Sequence, residues 1–502
     1  MNGAAPAFLK ISDLSGKPIA DERLGSRRRN GVYRSDRIEM TPKRVPDGAV
    51  ERLRADSCGP VFEPGDVGYD DARQVWNAMI DHRPDVIVKP TGVADVMTAV
   101  QWAGEFDIGL SVKGGGHHIS GAAVPDEGLL VDLGRMNTVD VNPDTRIARV
   151  QAGATWGEVD HETQAFGLAV PGGQSPTVGV AGLTLGGGVG WLSRKFGLTC
   201  DNVRAVELVT ADGELIRASE TNHPELFWGL RGGGGRFGVV TTFEYHLHEV
   251  GPEILAGSLV YPLEDAARIA RQYREFMVEA PREVRLLFGL MALPPASHIP
   301  EECHGMRGVL LVVSYAGSPS TGRDVLEPLR VTNDPIADSI RPRPYAQFQR
   351  VGESEERARS YARSQYLADM SDAAIETILT HGRTVPSAGA TVFISPRSGA
   401  EVDPASDETA FPHRDAAHHV LVEARWEDPA RDDEHVSWVR RFHEALRPHA
   451  TGDVAMNFLT TDESNERRRA AYGPNRSRLL QLQRQWDPQG RFRMTRPFDP
   501  VD

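Results

Sequence analysis

Ser111-Val112-Lys113-Gly114-Gly115-Gly116-His117-His118 closes a short apolar run and sets three glycines directly before a histidine. Three glycines let the backbone turn tightly and bring its N–H groups against an anion, as phosphate-cradling loops do. A phosphate alone needs no histidine at the loop's exit, so His117 suggests a cofactor gripped chemically as well as electrostatically. In isolation the same letters read equally well as a tight turn with a surface histidine. The surrounding sequence decides between the two.

Upstream, Val86-Ile87-Val88 reads as a strand stopped at Pro90, and Val93, Val96, Met97 and Val100 mark one face of a helix. Leu110 to Val112 is the next strand, which gives a βαβ unit with the glycine loop at a strand's carboxyl end. Further strands are expected over 129–133, 146–150, 203–209 and 239–247, and a hairpin partner for the third over 214–218. A short helix is expected over 224–230. Beyond Val250-Gly251-Pro252 the texture changes. Apolar runs at 309–315, 390–394 and 419–426 alternate with amphipathic stretches such as 371–381, predicting an antiparallel sheet covered by helices. The last segment, 463–492, reads as helical with breaks at Pro474, Pro488 and Gly490. The expected order is an N-terminal extension (1–45), a first domain (46–252), a second α+β domain (253–450) and a segment (451–502) returning to the first.

Of 502 residues, 40% are hydrophobic and 25% charged, which suits a globular protein. The net charge of −14 argues against nucleic-acid or anionic-membrane partners, which want a basic face. Cys58, Cys200 and Cys303 are far apart and give no disulfide framework or zinc spacing. No apolar run is long enough for a membrane span, and Met1-Asn2-Gly3-Ala4 opens no secretion signal. Arg27-Arg28-Arg29 has no apolar segment after it, so a cytoplasmic protein is expected.

Two more glycine-rich elements follow the first. One runs from Gly172 through Ser175-Pro176-Thr177-Val178-Gly179, Gly182 and Gly186-Gly187-Gly188 to Trp191, and the other from Arg231 through Gly232 to Gly235 and on to Val239 and Thr241. Each glycine costs backbone entropy on folding, so this density implies close approach to something large and flat, such as an extended dinucleotide. No loop shows the G-x-G-x-x-G pattern with a downstream acidic ribose contact, which speaks against a nicotinamide cofactor.

In order and spacing, the three elements resemble the FAD-binding (PCMH-type) domain of the vanillyl-alcohol-oxidase superfamily, and within it the berberine-bridge-enzyme-like oxidases. The tail agrees: Arg469 to Gly473, Asn475, Leu479, Asp487-Pro488 and Phe492-Arg493 resemble that family's C-terminal signature. The likeness spans about residues 60–500. It implies an α+β fold, with a PCMH-type FAD-binding domain joined to a substrate domain built on an antiparallel sheet.

The resemblance further implies FAD bound covalently through its 8α-methyl to His117. The loop residues Lys113, Gly114, Gly115, Gly116 and His118 would line the cofactor, with Ser175, Thr177, Val178, Gly179, Gly182, Gly186, Gly187, Gly188, Val239 and Asn457. Relatives often attach the flavin a second time through a cysteine before Pro-Thr-Val-Gly. Ser175 stands there in this chain, and a hydroxyl is not the thiolate such a bond needs. A single histidyl link is therefore implied, leaving a roomier and less oxidising site than a double one. Three residues on, Val178 holds the position that gates dioxygen in relatives, where a small side chain accompanies oxidase behaviour. The family's Tyr-x-Asn reads Ala455-Met456-Asn457 here, so the usual tyrosine base is missing and only Asn457 is kept. Tyr366, in Arg363-Ser364-Gln365-Tyr366, becomes the candidate base or substrate-orienting hydroxyl. His413 is read as structural, and His418-His419 as no metal site.

The expected activity is oxidation of a C–O or C–N bond in a small organic substrate, with O2 reduced to peroxide. A flavin-dependent dehydrogenase, an oxidative cyclase or oxygenase, and a non-catalytic binding module stand as alternatives.

Overall fold

The computed structural model describes residues 45–331, 334–350 and 357–494; the extension expected over 1–45 lies outside them except for Val45. The strand–helix–strand reading around the glycine loop holds, with one addition. Val86–Val88, the helix Val93–Glu105 and Leu110–Lys113 form as expected, but Leu129–Asp132 inserts between the two strands and pairs parallel with both. Val61–Phe62 completes this four-stranded sheet on its other edge. Val88, Leu110, Leu129 and Val131 are fully buried, as strands of a parallel sheet covered on both faces must be.

A five-stranded antiparallel sheet lies next in the chain, in the order Val139–Asn142, Ile147–Gln151, Val239–His246, Val203–Val209, Leu215–Ser219. The helix Trp156–Gln164 packs beside it. That helix starts where Thr155 donates through its backbone N–H and its hydroxyl to Glu158 Oε2, at 2.7 and 2.9 Å. One apolar core joins both sheets to Ala410, Met456, Tyr472, Leu479, Leu482 and Phe492, so the chain's end packs on its beginning.

From Glu253 on, the strands form one large antiparallel sheet. Its order is Ala337–Asp338, Glu253–Pro262, Arg307–Tyr315, Val284–Ala292, Ala390–Pro396, His418–Trp426 and Arg359–Leu367, and Arg341–Pro344 also pairs with Glu253–Pro262. Glu253–Pro262, Val284–Ala292 and Arg359–Leu367 carry no clean alternation or flanking signal and are not visible in the sequence pattern. The helices Ala266–Glu279, Pro319–Val331, Asp372–Arg383 and Asp432–Leu446 contribute Ile269, Tyr273, Leu326, Ile378 and Phe442 to the core on one face. The period of two decides which residues go there. Along His418–Trp426, residues 418, 420, 422, 424 and 426 are buried, whereas His419, Leu421, Glu423 and Arg425 are only half-buried on the opposite face. That opposite face meets the glycine loops. Among the described residues, no helix is long and apolar enough to cross a membrane.

Candidate active site

The first and second glycine elements are packed backbone to backbone. A Cβ on Gly115 would collide with the backbone of Gly179, and one on Gly179 with Gly115, so no larger residue fits either position. The first loop continues from Lys113, whose ammonium is buried. It donates to the carbonyls of Ala72 and Gln74 and lies 3.2 Å from Asp132. Its charge is thus engaged beneath the loop and anchors it. Among the described residues the N–H groups of Gly115, Gly116 and His117 make no hydrogen bond. Such consecutive unengaged donors are the feature an oxyanion fills.

His117 leaves the loop with its ring stacked on Trp76, centroids 4.9 Å apart, and Trp76 N–H donates to Gly116 O at 3.1 Å. Its Nε2 lies 2.9 Å from Thr177 Oγ1, and Thr177 Oγ1 lies 3.1 Å from Ser175 Oγ. The two positions singled out for flavin attachment thus stand on one rim, joined through a single threonine. Burial, helped by the charge of Arg425, pushes the imidazole of His117 down to about 4, so it is neutral at pH 7, with one ring nitrogen unprotonated. His118 is also neutral, pushed to about 4 by burial, but its Nδ1 meets Ser120 Oγ at 2.8 Å and its Nε2 faces Met456 O. Those contacts make it a brace between the loop and the chain's end.

Beyond Gly179 the helix Val180–Leu185 begins, and Gly182 opens onto free space where a side chain would stand. Val178 is half-buried against the core, under Gly173. Asn457 donates to Leu183 O and Gly186 O at 3.3 and 3.4 Å, and a side chain on Gly186 would collide with it. Gly187 and Gly188, both at positive φ, turn against Phe411 and Thr199. Asn457 therefore ties off the end of this helix. Val239 is wholly enclosed in its sheet opposite Val209, so its side chain touches no cofactor.

Tyr366 sits on the loop-facing side of the large sheet, packed with Ala416, Ala455 and Phe458. It thus borders the position where the family tyrosine is absent. Burial raises its phenol above the ordinary value, outweighing Arg397, whose guanidinium lies 5.6 Å from the ring centre. That direction disfavours a base near pH 7 and suits a hydrogen-bond donor. His413 is structural, with Nε2 on Ala471 O at 3.2 Å and Nδ1 3.4 Å from Asp453.

Two residues invisible to the sequence reading share the face with Tyr366. Glu423 accepts from Ser360 Oγ at 2.9 Å, and burial raises its carboxyl above the usual range against the pull of Ser360 and Arg425. Arg425, one step further along, has its guanidinium 5.0 Å from the Trp76 ring centre. The face is clamped to the histidine loop by Asn77. Its Nδ2 donates to Ile119 O at 2.7 Å and Ser360 O at 2.8 Å, and its Oδ1 accepts from Ser360 N–H.

The cradle of open N–H groups, the space over Gly182 and the neutral histidine fit a dinucleotide carrying a flavin. The FAD binding domain family matches residues 84–219, and the berberine and berberine-like family matches residues 456–497. The chain is 28% identical over 452 residues to the uncharacterized FAD-linked oxidoreductase YgaK of Bacillus subtilis (strain 168), covering 88% of this chain and 97% of that one. It is 29% identical over 455 residues to the (R)-6-hydroxynicotine oxidase of Paenarthrobacter nicotinovorans, covering 88% and 97%. The crystal structure of 6-hydroxy-D-nicotine oxidase from Arthrobacter nicotinovorans superposes with a TM-score of 0.79 at 28% identity, over 88% of this chain and 98% of that one. The fold and the site are those of an FAD-linked oxidoreductase. Within that class the chain carries an FAD binding domain and a berberine-like segment, and it is similar to the berberine-bridge-enzyme-like group of the vanillyl-alcohol-oxidase superfamily.

Proposed function

We propose that this protein is an oxidase that holds FAD through one covalent bond from His117 and oxidises a C–O or C–N bond of a small organic molecule, with O2 as acceptor. The observation that carries the reading is His117 itself, neutral, stacked on Trp76 and set at the exit of a loop with open N–H groups. FAD, when bound, supplies the two-electron acceptor that takes the substrate's hydride and reduces dioxygen to peroxide. The remaining work falls to the chain. Backbone N–H groups of Gly115 and Gly116 hold the phosphates. Glu423 accepts the O–H or N–H proton that leaves as the hydride departs, its raised pKa making it a stronger base than a solvated carboxylate. The Tyr366 hydroxyl donates to the substrate and orients it. Leu421 and Phe393, neighbours in register on the same face, keep water from the reacting carbon.

Nicotine-type amines enter the substrate panel because two similar proteins are named for them. The test incubates the purified protein with sugars, alcohols and amines, in air and with an artificial electron acceptor. The reading expects one peroxide per substrate oxidised, and reoxidation in air that slows in Val178→Leu far more than flavin reduction does. Turnover with the artificial acceptor alone defines a dehydrogenase instead, and a colourless protein defines a binding module.

A further inference from the structure

We infer that Arg425 is an oxyanion anchor, and that the substrate oxidised at this site carries a carboxylate on a largely apolar body; this rests on the proposed function above. The guanidinium of Arg425 makes no hydrogen bond and no ion pair among the described residues, although its side chain is half-buried. A guanidinium in that setting keeps its five donors uncommitted to any described group of the protein. Its position is set from both sides. The backbone N–H of Arg425 donates to Gly389 O, its carbonyl accepts from Ser387 Oγ at 3.4 Å, and the head lies against the Trp76 ring. Stacking occupies the flat face of a guanidinium and leaves its edge free, the geometry that grips a carboxylate through two parallel hydrogen bonds.

The surroundings define the rest of the ligand. Glu423 lies on the same strand face two residues away, but its carboxylate is not paired with Arg425: it accepts from Ser360. Further along that face come Leu421 and, paired with it, Phe393, both half-buried, and then His419 beside Tyr366. Arg425 and His419 are six residues apart, roughly 20 Å along an extended strand. The row therefore reads as cation, proton acceptor, apolar wall, phenol. A carboxylate seated on Arg425 would place an apolar body across Leu421 and Phe393, with Glu423 reachable by a proton of that body.

An oxyanion on Arg425 has two sources, the substrate or the phosphates of FAD, and the experiment separates them. The holoprotein is titrated with benzoate and with benzamide, its neutral counterpart, following tryptophan fluorescence and flavin absorption, while flavin content is measured separately. The inference expects saturable benzoate binding, weak benzamide binding, and a loss of benzoate affinity of about tenfold or more in Arg425→Gln with flavin content unchanged. Arg425→Lys should keep part of that affinity. Equal benzoate affinity in wild type and Arg425→Gln overturns the proposal, as does a wild type that ignores benzoate. An Arg425→Gln protein that folds but has lost its flavin overturns it too, by assigning the guanidinium to the cofactor. A wild type without flavin defeats the proposed function instead, and the fluorescence titration still reads Arg425 in that case.

Discussion

The Ser360 hydroxyl donates to Glu423 Oε1 at 2.9 Å across two neighbouring strands, and it does so diagonally, because Ser360 pairs in register with Arg425 and Ala362 with Glu423. Asn77 grips the backbone of the same Ser360 and the carbonyl of Ile119 just past the histidine loop. The Glu423 carboxyl is thereby referenced to the His117 loop through two residues.

Glu423→Gln should slow flavin reduction by the true substrate about 100-fold or more while the protein keeps its flavin, as stopped-flow absorbance would record. Glu423 works as a base only when ionised, so the rate falls as pH drops through its raised pKa. Ser360→Ala removes a donor that favours the carboxylate and should move that acid limb to higher pH. A limb left in place by Ser360→Ala means another group is titrating.

Ser175→Cys should create a second flavin link. Ser175 already shares the rim with His117 through Thr177, and a thiolate supplies the nucleophile that a hydroxyl does not. Peptide mapping should find flavin joined to both peptides, with a changed flavin spectrum. An unaltered spectrum and one adduct mean that the loop runs past the flavin on a different path.

Asp160 gives a pH prediction away from the chemistry. It is buried on the helix Trp156–Gln164, where Gln349 Nε2 donates to its Oδ2 at 2.8 Å and also to Gly173 O, under the second glycine element. Its Oδ1 has no partner among the described residues, and burial raises the carboxyl from 3.8 to about 7. Between those values the unfolded chain has released the proton and the folded chain has kept it, so stability falls as pH rises through the window. Asp160→Asn removes the penalty. Its melting temperature should match the wild type near pH 4 and exceed it by a few degrees at pH 8, and a constant difference across that range counts against the assignment.

The parts of the site that were legible in the sequence are those written as contiguous motifs. Gly114 to His117 and Ser175 to Gly179 need their glycines and their spacing because two backbones touch there. Arg425, Glu423 and Trp76 were not legible, since each is a single residue without a motif, brought to the site by strand register and by a contact between distant segments. Lys113, His118 and Asn457 stand where the family pattern puts cofactor contacts, and each also has a polar atom engaged within the chain, by Asp132, by Ser120 and by the carbonyls of Leu183 and Gly186. Side-chain partners of that kind are not encoded in local pattern. The same holds for Tyr366, whose residue type suggested a base and whose burial raises the phenol and favours a donor.

Acid precipitation of the purified protein, followed by peptide mapping of the pellet, tests the central claim most directly. The yellow colour should stay with the pellet, and one flavin adduct should map to His117. His117→Ala should fold and still bind FAD through the Gly115 and Gly116 N–H groups, but release it into the acid supernatant. Free FAD released from the wild type, or an adduct on His118, would contradict the account.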